Sequence, residues 1–141
     1  MRIEGVTDSA LPGGGFTILG ITVKVVTATE NSLGPITAGM RLRLEGSKSG
    51  PTEVTAAKID GASGSDTELR GPLDANPASP SFAILGVQVQ TIPGTTQFNG
   101  TSSTAAADSF FNNTIKDKIV KARGTPGSTT TLNATEVKNE D

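Results

Sequence analysis

The sequence predicts an all-β protein built from two copies of one small unit, and two observations lead to this prediction. The ten residues FTILGITVKV (16–25) return later as FAILGVQVQT (82–91), with a glycine at the same place in each. Glycine (17 residues) and proline (8 residues) are frequent in the 141-residue chain, which favours many turns and short strands over long helices.

The similarity extends beyond the ten-residue stretch. Phe16 aligns with Phe82 at an offset of 66, whereas Gly46 aligns with Gly124 at an offset of 78. The change of offset places twelve extra residues in the second copy, as a surface loop tolerates. The sequence therefore predicts three segments: a first unit at 1–61, a linker at 62–67 and a second unit at 68–141.

Each ten-residue stretch predicts a β-hairpin with one apolar face. A two-residue turn at Leu19-Gly20 places Phe16 opposite Val23, so that the apolar side chains of both strands share one side. The second copy follows the same pattern. We therefore expect each hairpin to contribute the apolar face of its own small core.

Leucine is an unusual residue for such a turn, because a positive φ angle costs a leucine about 1 kcal/mol or more. Leu19 and Leu85 nevertheless occupy the turn in both copies. Two interpretations are open at this stage. The leucines fold back over the end of a barrel or belong to another type of turn, or they form exposed contacts with the neighbouring copy or a partner.

The other strands of each copy follow in order around the hairpin. They are RIEGVTD (2–8), MRLRLEG (40–46) and VTAAKID (54–60) in the first copy, and ELRGPLD (68–74), KIVKARG (118–124) and LNATEVK (132–138) in the second. The longest connection lies between strands three and four, where Ser102 or Ser103 is predicted to cap a short helix in the second copy. This order is typical of an oligonucleotide/oligosaccharide-binding (OB) barrel, so the sequence predicts two tandem five-stranded OB-like β-barrels.

Three short motifs of the first copy then point to a family. They are F-x-I-x-G-x-x-V on the hairpin, G-x-x-L-x-L-x-G at strand four and A-x-K-I at strand five. With them the chain resembles the bacterial domain-of-unknown-function family 5666, and the resemblance covers both copies. The second copy departs from the pattern at Asp117, which replaces a glycine, and at Pro72, which predicts an edge position for its first strand.

The resemblance implies a setting rather than a chemistry. Members look like small OB-type barrels, often in tandem on exported proteins, so we expect a periplasmic, cell-surface or extracellular location. The first residues lack the basic and apolar regions of a signal peptide, and we expect the export signal to lie outside this sequence.

Composition argues against several functions. The chain has no His and no Cys, which removes the commonest general base, the commonest metal ligand and any thiol nucleophile, and we predict neither enzyme activity, cofactor nor metal site. A net charge of −2 argues against nucleic acid as a partner. No apolar run is long enough to cross a bilayer, so no membrane insertion is expected.

The function predicted from these features is a non-catalytic structural or protein-interaction module, acting on a protein partner or by self-association. The alternative is a ligand-binding barrel for an oligosaccharide, single-stranded nucleic acid or peptide, with a groove across strands two and three. That groove would be lined by Thr17, Thr22, Lys24, Ala83 and Gln88. The full set of residues predicted for a ligand or partner face is Thr17, Leu19, Thr22, Lys24, Arg41, Arg43, Leu85 and Gln88.

Overall fold

The computed structural model of the protein describes residues 1–140, which form thirteen β-strands and one α-helix. The first half of the chain (residues 1–61) contains β1 (Arg2–Val6), β2 (Ser9–Ala10), β3 (Phe16–Ile18), β4 (Ile21–Lys24), β5 (Glu30–Asn31), β6 (Arg41–Gly50) and β7 (Glu53–Gly61). The second half (residues 67–140) contains β8 (Thr67–Pro72), β9 (Ser81–Ile84), β10 (Val87–Gln90), β11 (Gln97–Phe98), α1 (Thr104–Asn113), β12 (Ile119–Ser128) and β13 (Thr131–Asn139).

All thirteen strands belong to one hydrogen-bonded sheet. Its main path runs β2-β3-β4-β7-β6-β1 through the first half and β8-β12-β13-β10-β9 through the second, while β5 pairs with β7 and β11 with β13. The predicted all-β class is therefore confirmed. No helix within residues 1–140 has the length and apolar character needed to cross a membrane.

The predicted hairpin register is confirmed in both halves. Phe16 pairs with Val23 and Ile18 with Ile21, and β9 and β10 repeat this register. The apolar side chains of both hairpins lie in the core, and those of Phe16 and Val23 are fully buried.

The two turn leucines have positive φ angles, 53° at Leu19 and 51° at Leu85. Their side chains are only 5% and 2% exposed, so the interpretation of these side chains as exposed partner contacts is wrong. They fold back onto the core. Burial of a leucine stabilises a fold by about 1.5–3 kcal/mol, which offsets the cost of about 1–2 kcal/mol for the left-handed backbone.

The glycines that follow these leucines touch the opposite half of the chain. A Cβ atom placed on Gly20 would lie 2.8 Å from Thr130 Cγ2, and one on Gly86 would lie 2.7 Å from Thr52 Cγ2. Thr52 and Thr130 occupy the tips of the β6–β7 and β12–β13 hairpins. Each hairpin tip therefore packs against the leucine-glycine turn of the other half.

The two halves join where β1 and β8 pair antiparallel. Ile3 lies opposite Leu69, Arg2 opposite Arg70, and Glu4 opposite Glu68. Ile3 and Leu69 are fully buried, and the buried apolar residues of both halves form one continuous cluster. The seam between the halves is thus part of the core.

The helix in the second half begins at the predicted cap. The hydroxyl of Ser103 accepts a hydrogen bond from the Ala106 amide at 3.1 Å, which satisfies one of the free N–H groups of the first turn. The ring of Phe110 packs against those of Phe82 and Phe98, with centroids 5.3 and 5.2 Å apart. The twelve-residue insertion thus adds an aromatic cluster to the core.

The contact between Gly86 and Thr52 can be tested by substitution. Gly86→Ala combines a positive φ with a steric overlap, whereas Gly34→Ala has a similar φ of 71° and no atom within 4 Å. We expect Gly34→Ala to lower the free energy of unfolding by about 1 kcal/mol and Gly86→Ala by about 2–3 kcal/mol, as measured by urea unfolding.

Thr52→Ser removes the methyl group that Gly86→Ala would meet. The double variant Gly86→Ala/Thr52→Ser should therefore recover most of the difference in unfolding free energy between Gly86→Ala and Gly34→Ala. If Gly86→Ala costs no more than Gly34→Ala, the two halves do not pack together at this turn.

Candidate ligand and partner faces

The outer face of the first hairpin is polar. Thr17 lies opposite Thr22, and the hydroxyls of Thr17 and Ser9 are 2.8 Å apart. The Lys24 ammonium lies 3.5 Å from a Glu53 carboxylate oxygen on β7. Three of the predicted face residues, Thr17, Thr22 and Lys24, therefore lie on one hairpin surface.

The outer face of the second hairpin carries the pair Ala83 and Gln88, which lie opposite each other between β9 and β10. Gln88 is exposed and Ala83 is half-buried. This pair occupies the positions of Thr17 and Thr22 at the offset of 66. The predicted groove residues of the two halves thus lie on two separate, equivalently placed hairpins.

A surface depression lies beside each hairpin, between it and the loop that precedes it. The depression in the first half has a volume of about 250 Å³ and is lined by Leu11, Pro12, Gly13, Gly15, Thr22, Val23, Lys24, Val25 and Val26. The depression in the second half has a volume of about 190 Å³ and is lined by Ala75, Asn76, Ala78, Ser81, Phe82, Ala83 and Gln88. The first is rich in aliphatic side chains, and the second has amide and hydroxyl groups.

Exposed aliphatic side chains follow both hairpins. Val26 is 46% exposed and Ile92 is 64% exposed. The two residues are equivalent at the offset of 66. Single exposed apolar residues are ordinary on a protein surface, but Val26 also lines the aliphatic depression and so extends its apolar surface.

Arg41 and Arg43 lie away from the hairpin face. They are on β6, where their guanidinium groups are 3.5 and 3.9 Å from carboxylate oxygens of Glu4, and Arg41 also donates a hydrogen bond to the Asp66 carbonyl. β4 pairs with the start of β7, whereas Arg43 pairs with Asp60 near its end. The structure therefore does not bring the two arginines together with Lys24.

A row of cations on the outer face of the sheet was missed by the sequence prediction. Cross-strand neighbours on six successive strands form this basic row: Lys58, Glu45, Arg2, Arg70, Lys121 and Lys138. Five of the six side chains are cationic. Two residues further along the same strands lies a second row of four carboxylates and two arginines, which we call the acidic row. Its members are Asp60, Arg43, Glu4, Glu68, Arg123 and Glu136.

A cleft of about 400 Å³ opens at the centre of the basic row. It is lined by Met1, Arg2, Glu45, Gly46, Ser47, Ala57 and Arg70. Burial lowers the pKa of the Met1 α-amino group, and Arg70 lowers it further. The Arg2 Nε atom is buried without a hydrogen-bond partner among the described residues.

The signal for this row was present in the sequence. The first strands read Arg2-Ile-Glu and Glu-Leu-Arg70, so their charges are exchanged between the halves. Antiparallel pairing with Ile3 opposite Leu69 places arginine opposite arginine and glutamate opposite glutamate. The row is evident only once β1 and β8 are known to pair.

The described residues include no group of three or more His, Cys, Asp or Glu side chains arranged to hold a metal ion. Acidic side chains instead form ion pairs across the sheet. Glu136, for example, accepts a hydrogen bond from Arg123 at 2.6 Å.

Comparison with protein families supports the resemblance found in the sequence. Residues 2–60 match DUF5666, a domain of unknown function. The resemblance to family 5666 is thereby confirmed over the first half of the chain. The DUF5666 match runs from the start of β1 to one residue before the end of β7, and so includes the first hairpin, its depression and the Arg2 side of the basic row.

A search of curated proteins found no match. Among solved structures, the chain matches two crystal structures of the single-stranded DNA binding protein from Thermus aquaticus. The wild-type protein has 13% sequence identity and a TM-score of 0.35, covering 99% of this chain and 91% of that one. The deletion mutant delta 228-252 R190A has 12% identity and a TM-score of 0.35, covering 99% and 93%.

The like charges in the basic row can be tested through stability. Arg70 lies between Arg2 and Lys121, so Arg70→Glu converts two repulsive cross-strand pairs into attractive ones. We expect this substitution to raise the free energy of unfolding by about 1 kcal/mol at low salt, and less at high salt. Urea unfolding followed by circular dichroism measures it, since the chain has no Trp or Tyr.

Arg123→Glu is the matched control, with the same change of charge on the adjacent strand. Arg123 already contacts Glu136 and Asp66, so its reversal should instead destabilise the protein by about 1 kcal/mol. Equal effects of the two substitutions would contradict the assigned register.

Proposed function

We propose that this chain is a non-catalytic protein-interaction module made of two tandem OB-like barrels. The strand pairing supports the barrels. In the first half, β1 pairs with β6, and the chain then continues into β2, which pairs with β3. Between β1 and β2, the Asp8 N–H donates a hydrogen bond of 2.8 Å to the Thr17 carbonyl. In the second half, β8 pairs with β12, and Asp74 N–H donates to Ala83 at 2.9 Å. The first strand of each half thus contacts both β6 and β3 in the first half, and both β12 and β9 in the second. In an OB barrel, strand one likewise contacts strands four and two.

The partner surface that we propose is the depression beside the first hairpin. OB folds bind ligands across strands two and three and the adjoining loops. Here these strands are β3 and β4, and the depression lies beside them. The observation that favours a protein partner is the aliphatic lining with Val26 exposed at its edge. An extended protein segment that inserts an apolar side chain fits this chemistry better than a sugar or a nucleic acid base, because no aromatic side chain lines the depression.

The absence of catalysis is part of the proposal and is supported by chemistry. Without His or Cys, an acid–base or nucleophilic site would need carboxylates, serines or lysines. The carboxylates of Glu4, Glu53 and Glu136 each lie within 4.0 Å of a cationic side chain on the protein surface. Such pairs are typical of a solvated sheet face rather than of a catalytic pair.

We also propose that the module acts in the cell envelope or outside the cell. The support is the resemblance to family 5666, whose members are often exported. Fractionation of cells that produce the full-length protein tests this location, and recovery in the cytoplasmic fraction alone would refute it.

The partner surface is tested by selecting binders and then changing one residue. We expect a displayed library of random peptides, selected on the immobilised chain, to yield apolar peptides with micromolar affinity. Val26→Asp should weaken them about tenfold or more, because the charge borders the apolar depression. Fluorescence anisotropy with the labelled peptides provides the measurement.

Thr27→Asp is the control, because it adds the same charge at the next exposed residue, outside the depression lining. This variant should bind as the unchanged protein does. Selection that yields no peptide sensitive to Val26→Asp would exclude this surface. Light scattering over a range of concentrations then distinguishes a second copy of the chain from a different protein as the natural partner.

A further inference from the structure

The basic row crosses the sheet without interruption from β7 to β13. Because neighbouring strands lie about 4.8 Å apart, six strands give the row a length of about 24 Å. It includes both sides of the β1–β8 seam, so neither half of the chain contains it alone. The surface is linear, exposed on the outer side of the sheet, and distinct from the hairpin depressions.

The positive charge of the row is only partly compensated. Lys58 lies 3.8 Å from Asp60, Lys121 lies 3.8 Å from Glu140, and Arg2 lies 4.0 Å from Glu68. Ion pairs of this kind on a protein surface contribute little to stability.

Arg70 and Lys138 form no ion pair within residues 1–140. Glu45 is the single carboxylate in the row, so the row as a whole keeps an excess of positive charge.

The centre of the row is electrostatically unfavourable as it stands. Arg2 and Arg70 lie directly opposite each other, and like charges in this position destabilise a sheet. Both line the cleft of about 400 Å³, together with Glu45 and Met1, and this volume is large enough to hold an anionic group. A bound anion would relieve the repulsion between the two guanidinium groups.

The chemistry of the lining favours phosphate. Each guanidinium binds an oxyanion through two parallel hydrogen bonds, so two guanidiniums need more acceptor oxygens than one carboxylate offers. Lys121 and Lys138 continue the row as point charges, which suits further phosphates of the same polymer. No aromatic side chain belongs to the row, so it offers no platform on which nucleic acid bases could stack.

We propose that the basic row binds a linear, base-free phosphate polymer, with one phosphate in the cleft between Arg2 and Arg70. The acidic row, two residues further along each strand and therefore about 7 Å away, repels the polymer on one side and aligns it across the strands. This binding site spans both halves and goes beyond the proposed partner surface at the hairpin.

The test uses the whole chain and a labelled inorganic polyphosphate long enough to span the row. We expect fluorescence anisotropy to show binding at low salt that weakens as salt is added. Arg70→Glu should weaken binding about tenfold or more, and Lys138→Glu several-fold. The urea midpoint of Arg70→Glu, expected to be unchanged or raised, shows that the variant is folded.

Lys116→Glu is the matched control. Lys116 is exposed on the segment after α1, outside the row, and its substitution changes the net charge equally. Its affinity for polyphosphate should change less than about twofold. Equal losses in Lys116→Glu and Arg70→Glu would show a response to net charge alone and would overturn the site, as would the absence of binding at low salt.

Two further probes identify the kind of polymer. A poly(glycerol phosphate) that competes with polyphosphate would extend the site to phosphodiester chains, whereas failure to compete would restrict it to the inorganic polymer; both outcomes retain a base-free phosphate chain. The second probe is an oligothymidylate. Binding as tight as that of polyphosphate, with the same sensitivity to Arg70→Glu, would identify the ligand as nucleic acid and overturn the assignment of a base-free polymer.

Discussion

The antiparallel pairing of β1 with β8 is the constraint on which the rest of the structure depends. It places Ile3 against Leu69 in a core that runs through both halves, and it makes one sheet of strands from both halves of the chain. Each half contributes few large side chains, and the chain has only five aromatic residues. Sharing a core raises the fraction of apolar surface that each half buries, which a unit of about 60 residues needs for stability.

The two halves also make reciprocal contacts at the ends of the hairpins. Leu19 and Leu85 fold inward at a backbone cost, and the glycines after them remain small enough for Thr130 and Thr52 to approach. Asp74 adds to this arrangement, since its carboxylate accepts hydrogen bonds from the Leu85 and Gly86 amides at 3.0 and 2.8 Å. The turns are therefore stabilised by burial of the leucine side chains in the core and by contact of the glycines with the other half.

Local patterns predicted much of this fold, and contacts between the halves explain the remainder. Alternation around Leu19-Gly20 was sufficient for the hairpin register, and the serine before TAAADSFF was sufficient for the helix cap, because both depend on residues close in sequence. The inward direction of Leu19 was not settled by pattern, since it depends on what fills the end of the core. The basic row was also missed, because its members come from six strands and the decisive contact, Arg2 with Arg70, depends on a register that neither strand specifies alone.

The packing of the hairpin tips has a practical consequence for protein engineering. Exposed tips of long hairpins are ordinarily good places to insert a tag or a fluorescent domain. Here, Thr52 in one tip and Thr129 and Thr130 in the other abut the turn of the other half, so added chain at these tips would push the halves apart. The loop at Gly34, where an added Cβ atom would have no other atom within 4 Å, is the better site for a graft.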